Sequence, residues 1–185
     1  MIGMEKTSEA ELVQRSRQGD AESFGELVRI YQSSVFNVCY RLVGERREAE
    51  DLAQEAFLRA YQHFSSFDPA RPFGPWIRRV AANLAINRLH VKQINMVLLD
   101  DECGPSAGSL EGDPQSRIEQ TESGELLAAA IRSLPPNYRI VIELNHFQAM
   151  SYIDMAEFLK IPLNDVKSRL FRARKILLER LKTYE

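Results

Sequence analysis

Cysteine, histidine and long apolar runs are all scarce in this chain, and each shortage removes a class of function. Two cysteines, Cys39 and Cys103, stand far apart without CxxC spacing. That excludes a disulfide framework and a thiolate metal site, and points to two reduced thiols in a cytoplasmic protein. The three histidines, His63, His90 and His146, are scattered, so no carboxylate has a helix-spaced imidazole beside it and no metal site is expected. No glycine-rich phosphate-cradling loop occurs, which argues against nucleotide use and for no cofactor. The polar start (Glu5, Lys6, Glu9, Glu11) has no apolar run of signal-peptide length, and no segment is apolar for long enough to span a membrane. An overall basic excess is missing too: the net charge is −2 and the pI about 6.0.

That mean charge conceals an asymmetry. Residues 1–95 hold 13 Lys and Arg against 12 Asp and Glu, residues 96–123 hold 1 against 7, and residues 124–185 hold 10 against 7. Local patches, not the average, decide what a surface binds. At 185 residues the chain can form one medium domain or two small ones.

Helical periodicity dominates, and no strand pattern or internal repeat competes with it. The spacing predicts helices over Leu12–Gln18, Ala21–Val43, Arg47–Phe64 and Pro75–Val91. After the break they resume over Arg117–Leu134, Tyr138–Phe147, Tyr152–Leu159 and about Leu163–Leu181. Asp20 is suited to cap the second helix and Gly44 to stop it. Asp100–Pro114 collects Gly, Pro, Ser and acids, the composition of a flexible tether. The expected fold class is therefore all-α: two small helical domains joined by a flexible acidic linker, the C-terminal one a helix-turn-helix. The expected boundaries are 10–95, 96–116 and 117–185.

Two stretches carry the chemistry. From Asp51 to Lys92 the chain changes character halfway. Leu52, Ala53, Ala56, Phe57 and Ala60 make one apolar face, with Asp51, Gln54, Glu55 and Arg59 crowded on another. After Pro69, Pro72 and Pro75 no acid occurs through Lys92, while Arg78, Arg79, Arg88, His90 and Lys92 stand among aromatic and amide side chains. An acidic surface suited to a protein partner thus precedes a basic one suited to nucleic acid. Trp76, Val80, Leu84 and Val91 form a plausible apolar stripe, with Phe73 and Trp76 in the core rather than as stacking platforms.

The second stretch, MSYIDMAEFLKIPLNDVKSRLFRARKILLERL, has helix-turn-helix form. Ser151 and Asp154 resemble a capping box, Lys160-Ile161-Pro162 is a tight turn, and proline sits where the next helix begins. Val166, Leu170, Ala173 and Leu177 recur at one-turn spacing and should pack inward. Lys167, Ser168, Phe171, Arg172, Arg174 and Lys175 are left on the outside, as on a helix that enters the major groove.

These segments, in this order, resemble the extracytoplasmic-function group of bacterial RNA polymerase sigma factors over nearly the whole chain. QGDAESFGELVRIY and EAEDLAQEAFLRAY are similar to the family's opening helices, FxxWIRRVAANLAINRL to its promoter-melting helix, and SLPPNYRIV through ARKIL to its −35-reading domain. The resemblance implies a non-enzymatic factor that binds core RNA polymerase at the β′ clamp coiled coil and the β flap. It implies docking on β′ through Asp51, Gln54, Glu55 and Phe57. It implies capture of −10 DNA by Phe67, Arg71, Arg79, Asn83 and Asn87, with Asn83 near a flipped base, and of −35 DNA by Lys167, Ser168, Phe171, Arg172 and Arg174. It also implies an anti-sigma partner, with a cytoplasmic location and recruitment to the membrane through that partner rather than by insertion. Two positions depart from the family. Lys160 replaces the usual turn glycine, predicting a changed turn geometry. Asn164-Asp165 replaces Gly-Thr, placing an acid near phosphate and predicting a shifted −35 preference. A plain helix-turn-helix regulator would leave the acidic helix and proline loop unexplained. A metal-dependent helical hydrolase built on the Glu48–Glu55 acids would lack ligand spacing.

Overall fold

A computed structural model describes residues 8–99 and 122–182, and every regular element among them is helical. Helix α1 spans Glu9–Arg17, α2 Ala21–Val43, α3 Arg46–Gln62 and α4 Phe73–Leu99. After the break come α5 (Glu122–Arg132), α6 (Pro136–Ile142), α7 (Tyr152–Leu159) and α8 (Leu163–Leu181). A 3-10 turn, Phe64–Ser66, follows α3, and a π-helical turn, Glu143–Phe147, follows α6.

The helix ends follow local chemistry. The Asp20 carboxylate accepts hydrogen bonds from the backbone N–H groups of Glu22 (3.0 Å) and Ser23 (3.3 Å), and the Ser23 hydroxyl donates to it as well. Those bonds hold its carboxyl below the usual aspartate range. Gly44 closes α2 at φ 79°, a left-handed conformation that glycine adopts without a β-carbon penalty. Ser151 caps α7, accepting from Asp154 N at 3.1 Å.

In the first unit, α2 lies at the centre of α1, α3 and α4. Leu27, Val35, Val38, Cys39 and Leu42 of α2 meet Leu52, Ala56 and Ala60 of α3 and Ile77, Ala81 and Ala85 of α4, all essentially without exposure. The many alanines let the helix axes approach closely. At one end Phe64, Phe67, Phe73 and Trp76 form an aromatic cluster with ring centroids 4.8–6.2 Å apart. Gly74 is required there: a β-carbon on it would sit 2.6 Å from Tyr31 Cε1. Tyr31 also donates to Glu9, whose other carboxylate oxygen accepts from Phe73 N at 3.2 Å, tying α1 to the start of α4. The expected apolar stripe of α4 is displaced. Phe73, Ile77, Ala81 and Leu84 are core, Trp76 and Val80 flank it, and Val91 is 54% exposed.

In the second unit, Ile140, Val141 and Leu144 pack against Met155 of α7 and Val166, Leu170, Ala173 and Leu177 of α8. The inward set of α8 is the one its spacing predicts. Helix α4 continues to Leu99, into the stretch expected as linker (96–116); residues 100–121 lie outside the described part.

Candidate nucleic-acid and partner interfaces

Three surfaces follow from this packing. On α3, Asp51 and Gln54 are exposed and Glu55 is partly so, pairing with Arg59 one turn on at 2.5 Å. Phe57, expected to join them, is buried instead. The 3.6-residue period places it with Ala53 and Ala60 on the inner face, where it supports the surface rather than forms it. Two apolar residues missed by the sequence reading complete the outer face: Leu58 and Tyr61 are exposed, and Asp51, Gln54, Leu58 and Tyr61 recur at three- and four-residue steps. That spacing was available in the sequence, but both residues pass as core candidates until the inner stripe is fixed.

On α4, Arg79, Asn83, Asn87 and His90 lie along one side, with Arg79, Asn87 and His90 exposed. Arg71 in the preceding loop is exposed and pairs loosely with Asp68 at 3.5 Å. Phe67 corrects the sequence expectation. At 2% exposure it is held among Phe64, Phe73 and Trp76, so it shapes the loop and presents no ring to DNA. The basic track is also partly neutralised within the chain. Glu48, itself buried, accepts from Lys92 at 2.6 Å and lies 3.7 Å from Arg88. Asn83 carries a buried side-chain oxygen that accepts no hydrogen bond. Asn83, Ile86, Asn87 and His90 form one wall of a cleft of about 320 Å³, and Phe158, Leu159 and Lys160 of the second unit form the other.

On α8, Lys167, Ser168, Phe171, Arg172 and Arg174 are all exposed, Phe171 by 70%. A phenyl ring left in water on a basic helix suits contact with a thymine methyl or sugar edge. Arg174 is the constrained member. It donates to Asn145 Oδ1 at 2.9 Å, and Asn145 in turn donates to the Met150 carbonyl at 3.1 Å, fixing the π-helical turn against α8. Lys160 keeps the turn geometry a glycine would take: its backbone is left-handed, φ 53° and ψ 43°, so the expected change of turn does not occur. Asp165 lies exposed in the first turn of α8, as expected. Among the described residues no group of three His, Cys, Asp or Glu side chains could hold a metal ion, and no helix is long and apolar enough to cross a membrane.

An exposed basic recognition helix in one unit and an acidic face beside an amide-lined helix in the other match known proteins in both halves. Residues 27–93 match the sigma-70 region 2 family and residues 124–177 the sigma-70 region 4 family. The ECF RNA polymerase sigma factor SigW of Bacillus subtilis is 34% identical over 92% of this chain and 95% of its own length. The chain belongs to the ECF RNA polymerase sigma factors. The Escherichia coli ECF sigma-E factor is 31% identical over 94% of each chain. The fold is shared with the sigma factor RpoE of Bartonella quintana, solved with the anti-sigma factor NepR (TM-score 0.59, 21% identity, 88% of this chain and 98% of that one). It is shared too with CnrH, solved with the cytosolic domain of CnrY (TM-score 0.55, 20% identity, 96% and 99%). As a member of this family, the sigma factor is a transcription initiation factor that binds core RNA polymerase and promoter DNA.

Proposed function

We propose that the two units divide promoter recognition between them. The unit of residues 10–95 docks on the β′ clamp coiled coil through the outer face of α3, with Asp51, Gln54 and Glu55 supplying charge and Leu58 and Tyr61 apolar contact. Its α4 then receives −10 DNA. Arg71 and Arg79 hold phosphates, and Asn83 and Asn87 offer amides that can donate to and accept from an unstacked base. The unit of residues 117–185 rests on the β flap and lays α8 in the −35 major groove, with Lys167, Ser168, Phe171 and Arg172 toward the bases. Residues 96–116 act as the tether. The protein performs no covalent chemistry of its own and works in the cytoplasm. An anti-sigma factor restrains it, as the complexes of RpoE with NepR and of CnrH with CnrY suggest by analogy, and can bring it to the membrane.

The observation that carries this assignment is the outward row on α8 over an inward row of Val166, Leu170, Ala173 and Leu177, paired with an exposed acidic stripe on α3. Charge reversal at Asp51 tests the docking. The side chain is exposed, so Asp51→Lys should fold normally yet fail to form holoenzyme on a native gel. Unchanged assembly would remove α3 as the docking face.

A further inference from the structure

The contact between the two units is built around a buried ion pair. Arg41 of α2 donates to Glu143 through Nε (2.8 Å) and Nη2 (3.2 Å), a two-pronged pairing across 102 positions of sequence. The carboxylate is 1% exposed and the guanidinium 16%. Gln148 Nε2 donates to the same carboxylate at 3.0 Å, and the Arg41 guanidinium lies 3.9 Å from the centre of the Phe147 ring. A second stacked contact stands nearby, with Arg132 of α5 4.6 Å from the Tyr40 ring centre. Arg139 of α6 reaches close to Gly44, so a β-carbon there would sit 3.1 Å from its Nη1. Glu143 and Phe147 both belong to the second unit, so Arg41 ties α2 across the joint.

With α2 clasped to α6 and the π-helical turn, the C-terminal end of α7 faces α4, and Phe158, Leu159 and Lys160 stand opposite Asn83, Ile86, Asn87 and His90 across the cleft. A base reaching Asn83 would have to enter this cleft, whose far wall belongs to the second unit.

We propose that the Arg41–Glu143 pair is an internal latch, holding the sigma factor in a closed form in which its own helix-turn-helix stands across a cleft from Asn83 and Asn87 and obstructs the approach of a DNA strand to this side of α4, although Arg79, Asn87 and His90 stay exposed to water. The masking half of this inference rests on the assignment of Asn83 and Asn87 to −10 DNA; the latch itself does not. The physical basis is the asymmetry of a buried pair. Removing one partner leaves a charge without water or counter-charge, and separating the units relieves that at once. Because the pair is buried, ionic strength screens it weakly, so added salt alone should open the chain little. Binding core polymerase, which needs both units spread on separate surfaces, would supply the free energy to part them.

The experiment uses the full chain in three forms: wild type, Arg41→Glu, and the charge swap Arg41→Glu with Glu143→Arg. Circular dichroism checks that helix content is retained. Small-angle scattering reports the separation of the units, and fluorescence anisotropy reports affinity for a labelled single-stranded −10 oligonucleotide. The expected result is a compact wild type, an extended Arg41→Glu form with at least tenfold tighter oligonucleotide binding, and a swap that returns both toward wild type. A scattering profile unchanged by Arg41→Glu overturns the latch. An extended profile without tighter binding overturns the mask. Permanganate footprinting of holoenzyme carrying Asn83→Ala then shows whether the −10 assignment is at fault: normal melting means α4 reads something else, and lost melting confines the failure to the mask.

Discussion

Lys160 takes a left-handed backbone with a β-carbon in place, a conformation that costs an L-residue about 1–2 kcal/mol. It does so because the turn from α7 to α8 must reverse within three residues, and its backbone N–H still bonds to α7 carbonyls. Lys160→Gly should therefore stabilise the protein, by up to about 1 kcal/mol once the greater freedom of an unfolded glycine is subtracted. A denaturant midpoint that fell would show that the lysine side chain contributes more than its backbone costs. Cys39 offers a second test at this scale. Burial, aided by the Glu143 carboxylate, pushes its thiol from an ordinary 9.0 up to about 12. The protonated form is thus favoured in the folded state. The stability this provides is fully present below pH 9 and lost as pH rises toward 12. In a Cys103→Ser background the native protein should resist a thiol reagent at pH 8 and the denatured protein should release one thiol; rapid native labelling would contradict that burial. Two residues at this scale were misassigned from sequence. Phe57 and Phe67 fall within segments that resemble binding regions, but neither faces outward. For Phe57 the helical period alone decides the matter, whereas Phe67 sits in a loop where no period exists to tell an inward phenylalanine from an outward one.

Helices are where the sequence was most legible. The bounds of α2, α7 and α8 coincide with those that periodicity and end signals predict, because Asp20, Gly44, Ser151 and Pro162 each mark a boundary by a local hydrogen bond or a fixed dihedral. The start of α3 and the extent of α4 are less clear, since Glu45 caps α3 where a Ser or Asp is the usual signal, and nothing stops α4 at Val91. On α8 the exposed residues divide by their partners. Arg172 is exposed, and its removal should cost about 1–3 kcal/mol on duplexes carrying its preferred base and little on others. Arg174 is held by Asn145, so Arg174→Ala should weaken all duplexes alike and also lower stability by loosening the π-helical turn. Anisotropy on a panel of altered −35 duplexes, with thermal melts alongside, separates the two. A uniform loss from Arg172→Ala would identify it as a phosphate contact.

Across the whole molecule, all-helical class, division into two units and the family itself were legible from segment order. The contact between the units was not. Arg41 and Glu143 lie 102 residues apart on faces that each look like ordinary solvated positions, and no periodic pattern couples them. The acidic tether expected between the units falls largely on residues 100–121, outside the described part, while the described contact between the units is a buried pair with aromatic support. Sequence patterns report which face of a helix is buried; they do not report which distant helix buries it.

The central claim is that this chain confers promoter selection on core polymerase through a docking face on α3. Run-off transcription from a promoter this sigma factor serves, with purified core enzyme, tests it most directly. Wild-type chain should yield a defined transcript that core enzyme alone does not make, and Asp51→Lys should abolish it while retaining the wild-type circular dichroism spectrum. A transcript of equal yield without the chain, or with the Asp51→Lys chain in its place, would contradict the claim.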